Sequence, residues 1–272
     1  MNGGLTTVLF LDSGAGGLPY RAAFAARNPS VKTVYIADNA NFPYGPKSKD
    51  CLNALLSALA ASLVRRFAPD IIVLACNTAS VTALDALRAR FPNLPFVGTV
   101  PAVKPAVFHS RTGIAGVLGT ERTTADPYLD KLLAGANAEA GKNCTMLHRA
   151  APELVEFAEN EFWDAGESAK NAAVQKYIDY FRERGADALV LGCTHFLLLL
   201  DNFAACSGGM AVFHSIDGVC RQIERTLGLT AVAPSGAAAG AAEADLYITG
   251  GMDGAKWAKA ARYFNLRARA LV

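Results

Sequence analysis

The feature that most restricts the fold of this chain is a succession of short, continuously apolar runs separated by amphipathic helical stretches. Residues 7–11 (TVLFL), 33–37 (TVYIA), 71–75 (IIVLA), 95–100 (PFVGTV), 113–118 (GIAGVL), 188–192 (ALVLG), 211–216 (AVFHSI) and 246–249 (LYIT) read as strands. A strand with no polar alternation is one covered on both faces, which is the condition of a parallel sheet between helix layers. The stretches between them have the helical period. In residues 49–67, Leu52, Leu55, Leu56, Leu59, Leu63 and Phe67 recur at i, i+3, i+4 and make one buried stripe. Helices beginning near 167 and 217 run to Gly185 and Gly228, each placed as a C′ glycine. The class is α/β. Two stretches of small residues, 134–141 and 233–244, are expected as loops because they offer little to fill a core.

The chain also repeats itself. DIIVLACNTAS, residues 70–80, and DALVLGCTHFL, residues 187–197, each drive an apolar strand into a cysteine followed by two polar residues, Asn77 and Thr78 in one and Thr194 and His195 in the other. Cys76 and Cys193 stand 117 positions apart, and the preceding strand–loop segments VLFLDSGAGG and GIAGVLGTERTT are offset by a similar amount. Two related lobes, each with its own mostly parallel sheet, explain both repeats.

Composition excludes several function classes. A formal charge of +2 over 272 residues, with Lys and Arg scattered, leaves no electrostatic footprint for nucleic acid. The N-terminal apolar run is too short for a signal peptide, and no stretch approaches the roughly 20 apolar residues of a membrane span. A soluble, cytoplasmic protein is expected. The six cysteines form no C-x-x-C, and with four histidines no zinc site and no metal is expected. Cys51, Cys144, Cys206 and Cys220 have undistinguished surroundings and read as structural.

Polar clusters fall at the carboxyl ends of the expected strands, where open α/β sheets bind ligands. They are Asp12 and Ser13; Asp38 followed by NFPYG; Cys76, Asn77 and Thr78; Thr120 and Thr123; Cys193, Thr194 and His195; and Asp217. Gly14, Gly16 and Pro19 form G-x-G-x-x-P, and Asp38 lies 22 positions after Gly16, where a dinucleotide-binding chain carries its ribose acid. A nicotinamide reading therefore competes, yet it leaves the paired cysteines unused. The glycines allow a tight strand-to-helix turn and could offer N–H groups to an anion. Two thiols facing one carbon suggest proton exchange: a thiolate takes the proton from one face and a thiol returns one to the other. A thiol pKa of about 8.5 makes both forms accessible near neutrality.

DSGAGGLP, ADNANFPYGPKS, LACNTAS, VGTVPAVKPA, GVLGTERTT and VLGCTHFLLL resemble, in order and spacing, the signatures of the cofactor-independent glutamate racemases, within the broader aspartate/glutamate racemase superfamily. The resemblance implies that Cys76 and Cys193 are the acid/base pair, assisted by Asp12, His195 and Glu159, with Cys193 deprotonating L-glutamate and Cys76 the D-enantiomer. It implies that Asp12, Ser13, Tyr44, Gly45, Asn77, Thr78, Thr120, Thr123, Thr194 and His195 hold glutamate, that no cofactor is needed, and that the enzyme is a homodimer supplying D-glutamate for peptidoglycan. Read without the resemblance, Glu159 is a solvated charge on a helix and Tyr44 a packing residue. The chain departs from the family at Ala151, where cysteine is usual, at Leu197, where proline is, and at Gly218, where serine is. Duplication and resemblance together divide the chain into 1–98 plus 212–272 and 99–211, with the site in the cleft between lobes. Aspartate racemisation by the same thiols and a non-catalytic amino-acid-binding protein are the alternatives.

Overall fold

The structure, a computed structural model, describes residues 5–230, 244–251 and 255–271. In chain order the first elements are β1 (Thr7–Asp12), α1 (Leu18–Arg27), β2 (Lys32–Ala37), α2 (Lys49–Phe67), β3 (Ile71–Leu74), α3 (Asn77–Arg90), β4 (Phe96–Gly98) and α4 (Val103–His109). Next come β5 (Ile114–Gly119), α5 (Glu121–Ala125), α6 (Tyr128–Ala140), β6 (Thr145–Ala150), α7 (Pro152–Glu156), a π-helical turn at Phe157–Glu161, α8 (Glu167–Arg182) and β7 (Ala188–Leu191). A 3-10 turn at Thr194–Leu199 leads to α9 (Leu200–Cys206), β8 (Ala211–Phe213), α10 (Ile216–Leu227), β9 (Asp245–Thr249), α11 (Ala255–Tyr263) and β10 (Arg267–Leu271).

The chain forms two compact units, Met1–Thr99 with Ile216–Val272, and Val100–Ser215. Unit 1 holds a six-stranded sheet in the order β10-β9-β2-β1-β3-β4, and unit 2 a four-stranded sheet in the order β6-β5-β7-β8. Every strand pair in both sheets is parallel. The central strands β1, β3 and β7 are buried along their whole length, which is why they are apolar without alternation. In unit 1, Leu52, Leu56, Ala60 and Leu63 of α2 pack with Leu9, Leu11, Ile72 and Leu74 of the sheet. Ser48 caps α2, its side chain accepting from Cys51 N. Unit 2 buries Val117 and Val190 against Val103, Val107 and Leu129.

Three features differ from the sequence reading. Residues 134–140 are the end of α6, closed by Gly141 at φ +62°. Their alanines are strong helix formers, and Ala136 is buried in one cluster with Val103, Ala106 and Val107 of α4. The strands β6 and β10 go unseen in the sequence because both are sheet edges, half covered and interrupted by His148, Arg149, Arg267 and Arg269. Residues 212–213, assigned above to lobe one, belong to β8, which pairs with β7 through Leu189↔Val212 and Val190↔Phe213, so the chain stays in unit 2 through Ser215. The expected loop 233–244 lies outside the described residues except for Ala244.

Candidate active site

In unit 1 the ends of β1, β2 and β3 converge because the register places them level: Leu11 pairs with Ile36 and with Leu74. Asp12, fully buried at the end of β1, accepts from Ser13 N at 2.7 Å and lies 3.5 Å from the Tyr35 hydroxyl. Tyr35 also donates to Gly14 O at 2.9 Å and accepts from Gly17 N at 3.0 Å, so this phenol shapes the glycine loop and uses one amide expected to face an anion. A Cβ on Gly17 would meet Ala75 Cβ at 2.7 Å, which is why the loop needs glycine there. Tyr44 is buried in the same cluster as Leu11 and Cys76 and donates to Asp38 Oδ2 at 2.7 Å. Burial, then the neighbouring Asp38, Cys76 and Asp12, push its phenol well above the usual range, so Tyr44 stays a neutral donor. Gly45 follows in the turn after it.

Asp38 is committed within the protein. Its Oδ1 accepts from Thr249 Oγ1 at 2.7 Å and Asn41 Nδ2 at 3.0 Å, while Oδ2 takes Tyr44. The ribose-binding role that the spacing allowed would have to displace these partners. Cys76, extended at φ −140° and ψ 120°, precedes α3, and Asn77 and Thr78 occupy its first turn, all three buried. Asn77 Oδ1 is buried with no hydrogen-bond partner among the described residues.

Unit 2 repeats the placement. Cys193 follows β7 with φ −131° and ψ 137° and precedes the 3-10 turn carrying Thr194 and His195. His195 Nδ1 lies 3.8 Å from Cys193 Sγ, and its Nε2 lies 2.8 Å from Glu159 Oε2. Glu159 is fully buried, contrary to the solvated charge that its helical setting suggests. The reason is the π-helical turn, whose Phe162 N bonds to Phe157 O at 2.9 Å and which turns Glu159 inward; such turns often mark functional sites. Trp163 Nε1 donates to Glu159 O at 3.2 Å. Burial pulls the His195 pKa down, but hydrogen bonds to Cys193 and Glu159 and the carboxylate charge outweigh it and hold the imidazole well above its ordinary value. An imidazolium donates both N–H groups and so puts positive charge beside the sulfur. Thr120 caps α5, accepting from Thr123 N at 3.2 Å, and the two hydroxyls are 3.0 Å apart.

None of the six cysteines is in a disulfide; Cys144 and Cys220 are buried, Cys206 is half-buried and Cys51 is exposed. Burial pushes the Cys220 thiol up to about 12. Among the described residues no group of three or more His, Cys, Asp or Glu could hold a metal ion, and no helix is long and apolar enough to cross a membrane. Tyr35, Asp38 and Thr249 were absent from the expected site residues; the strand-end position of Asp38 was their one sequence signal.

A sequence model of the Asp/Glu/Hydantoin racemase family matches residues 20–244. Among curated proteins, the chain is 40% identical over 262 residues to the glutamate racemase of Treponema pallidum (strain Nichols), covering 95% of this chain and 93% of that one. It is 42% identical over 221 residues to the glutamate racemase of Sphingopyxis alaskensis, covering 79% and 80%. Among solved structures, Escherichia coli glutamate racemase in complex with L-glutamate and the activator UDP-MurNAc-ala superposes with a TM-score of 0.81 at 28% identity, over 99% of this chain and 100% of that one.

Proposed function

The chain belongs to the Asp/Glu/Hydantoin racemase family, and from that premise we propose that it interconverts L- and D-glutamate through Cys76 and Cys193. The observation that carries the reading is the doubled thiol: in each unit a buried cysteine, extended in the same way, ends the strand beside the sheet's first strand. As the Cα–H bond breaks, the thiolate of one cysteine becomes a thiol. The other thiol gives its proton to the opposite face of the same carbon, and the configuration inverts. The mechanism requires both sulfurs to reach one α-carbon.

The surrounding groups divide the work. Asp12 assists at Cys76, and His195, backed by Glu159, assists at Cys193 by setting a positive charge where the thiolate forms. Ser13, Tyr44, Gly45, Asn77 and Thr78 bind the amino acid from unit 1, the orphan Asn77 Oδ1 offering an acceptor to its ammonium group. Thr120, Thr123 and Thr194 bind it from unit 2. The reading carries with it a cytoplasmic homodimer that needs no cofactor and supplies D-glutamate for peptidoglycan.

The test is the circular dichroism of L-glutamate incubated with purified protein and no added cofactor. Decay of the signal to zero is expected. A constant signal alongside measurable binding would make the chain a binding protein, and faster decay with aspartate would move the substrate. A requirement for pyridoxal phosphate or NAD would overturn the two-thiol chemistry.

A further inference from the structure

The turn that presents Cys76 is closed by a hydroxyl four residues further on. Ser80 Oγ lies 2.8 Å from the carbonyl oxygen of Cys76, 3.1 Å from that of Leu74, 2.9 Å from Thr99 N and 3.2 Å from Thr99 Oγ1. A serine hydroxyl has one proton and two lone pairs. The Thr99 amide donates to one lone pair, the Thr99 hydroxyl can donate to the other, and the proton goes to the carbonyls of Cys76 and Leu74. Back-bonding of a helical serine to residue i−4 accounts for the Cys76 contact alone. It does not account for the last carbonyl of β3 and the residue after β4 meeting at the same oxygen.

Both Ser80 and Thr99 are buried, so this hydroxyl has protein partners in place of water. The close approach is built in: a Cβ on Gly98 would meet Ser80 Oγ at 3.0 Å and Leu84 Cδ2 at 2.9 Å. Thr99 is also the last residue of unit 1 before the chain passes to Val100. At the matching position of unit 2, four residues after Cys193, stands Leu197, which has no hydroxyl.

We propose that Ser80, together with Thr99, is a positioning residue for Cys76, fixing the backbone from which that thiol projects and acting on the half-reaction that thiol carries. The inference rests on the two-thiol reading above. Its test uses the L- and D-enantiomers of 3-chloroglutamate, from which one base suffices: loss of the α-proton and of chloride leaves an enamine that hydrolyses to 2-oxoglutarate and ammonium. Cys76→Ser and Cys193→Ser serve as controls and should each lose elimination from a different enantiomer.

Ser80→Ala should slow elimination from the enantiomer that Cys76→Ser loses by about tenfold, as expected when a reacting group is displaced by a fraction of an ångström, and leave the other within about twofold. Thr99→Val should give a smaller loss on the same side, and Thr99→Ser should restore it. A purely structural role predicts equal losses for both enantiomers. Equal losses in folded Ser80→Ala, or no loss, would overturn the proposal. If Ser80→Ala does not fold, the Thr99→Val and Thr99→Ser pair decides by the same criterion. If the cysteine controls show no reciprocal loss, the two-thiol reading itself fails, a result distinct from symmetrical losses in Ser80→Ala alone.

Discussion

Beyond the last residue of β3 in unit 1, the amide of Ala75 donates to Leu11 O at 2.8 Å; at the same place in unit 2, Gly192 donates to Leu118 O at 2.7 Å. One strand over, Asp38 N bonds to Asp12 O at 2.8 Å where unit 2 has Ala151 N bonding to Gly119 O at 3.0 Å. The order β2-β1-β3-β4 is answered by β6-β5-β7-β8. The backbone is therefore repeated to the hydrogen bond while the side chains are not. Asp12 corresponds to Gly119, Asp38 to Ala151, Thr78 to His195 and Ser80 to Leu197. In unit 1 the buried Asp12 and Asp38 stand at the ends of β1 and β2, the neutral phenol of Tyr44 shares a cluster with Cys76, and Ser80 Oγ bonds to the Cys76 carbonyl oxygen. Unit 2 gives its thiol an imidazole held by a buried carboxylate. Sheet geometry delivers a cysteine to each site, and the loops decide in what chemical company it works.

The largest effect that can break this comparison comes from the thiols. Cys76→Ser and Cys193→Ser should each lower racemisation by about 10³-fold, since a hydroxyl is a far weaker base near neutral pH. Cys76→Ser should still eliminate from L-3-chloroglutamate and Cys193→Ser from the D-enantiomer, measured as 2-oxoglutarate release. Full racemisation in either folded variant would end the two-base account.

Glu159→Gln sharpens the difference between the two stations. Removing the carboxylate leaves burial opposed only by Cys193 and so lowers the His195 pKa. About a tenfold loss is expected in racemisation, equal in both directions, and in elimination from L-3-chloroglutamate, with elimination from the D-enantiomer kept within about twofold. Because His195 is held above its ordinary value, activity that needs the imidazolium is lost as pH rises through the folded-state pKa. In the variant that loss should come at lower pH. The same sign governs stability: the contribution of the His195 proton is complete below the unfolded value near 6.5 and disappears as pH rises through the folded one. Glu159→Gln should therefore flatten the dependence of unfolding free energy on pH. An unchanged profile in both measurements would detach Glu159 from the imidazole.

Two glycines separate the units by packing. Gly17→Ala drives a Cβ to 2.7 Å from Ala75 Cβ and 2.8 Å from its carbonyl oxygen, and should cost about 1–3 kcal/mol in denaturant unfolding. Gly135→Ala in α6 meets nothing within 4 Å and should stabilise by about 0.5–1 kcal/mol, the smallest effect here. Equal outcomes at the two positions would mean that the glycine loop of unit 1 is not closely packed.

The amino-acid sequence by itself determined the α/β class, the central strands and the two cysteines at strand ends. These are local properties: a strand buried on both faces must be apolar throughout, and a thiol after such a run sits at its carboxyl end. Helix α2 was legible for the same reason, its stripe at residues 52 to 63 matching the face that is buried. The tertiary structure alone decided what pattern does not encode. The edge strands β6 and β10 carry arginines because one side of each lacks a neighbour, so their identity as strands depends on the sheet they join. The tail of α6 is a helix in which Ala136 and Ala140 find a surface to pack on. Glu159 reaches His195 across 36 positions, and Thr249 reaches Asp38 across 211. A buried carboxylate is stable only with such partners in place, and partners that far apart in sequence are brought together by the folded chain.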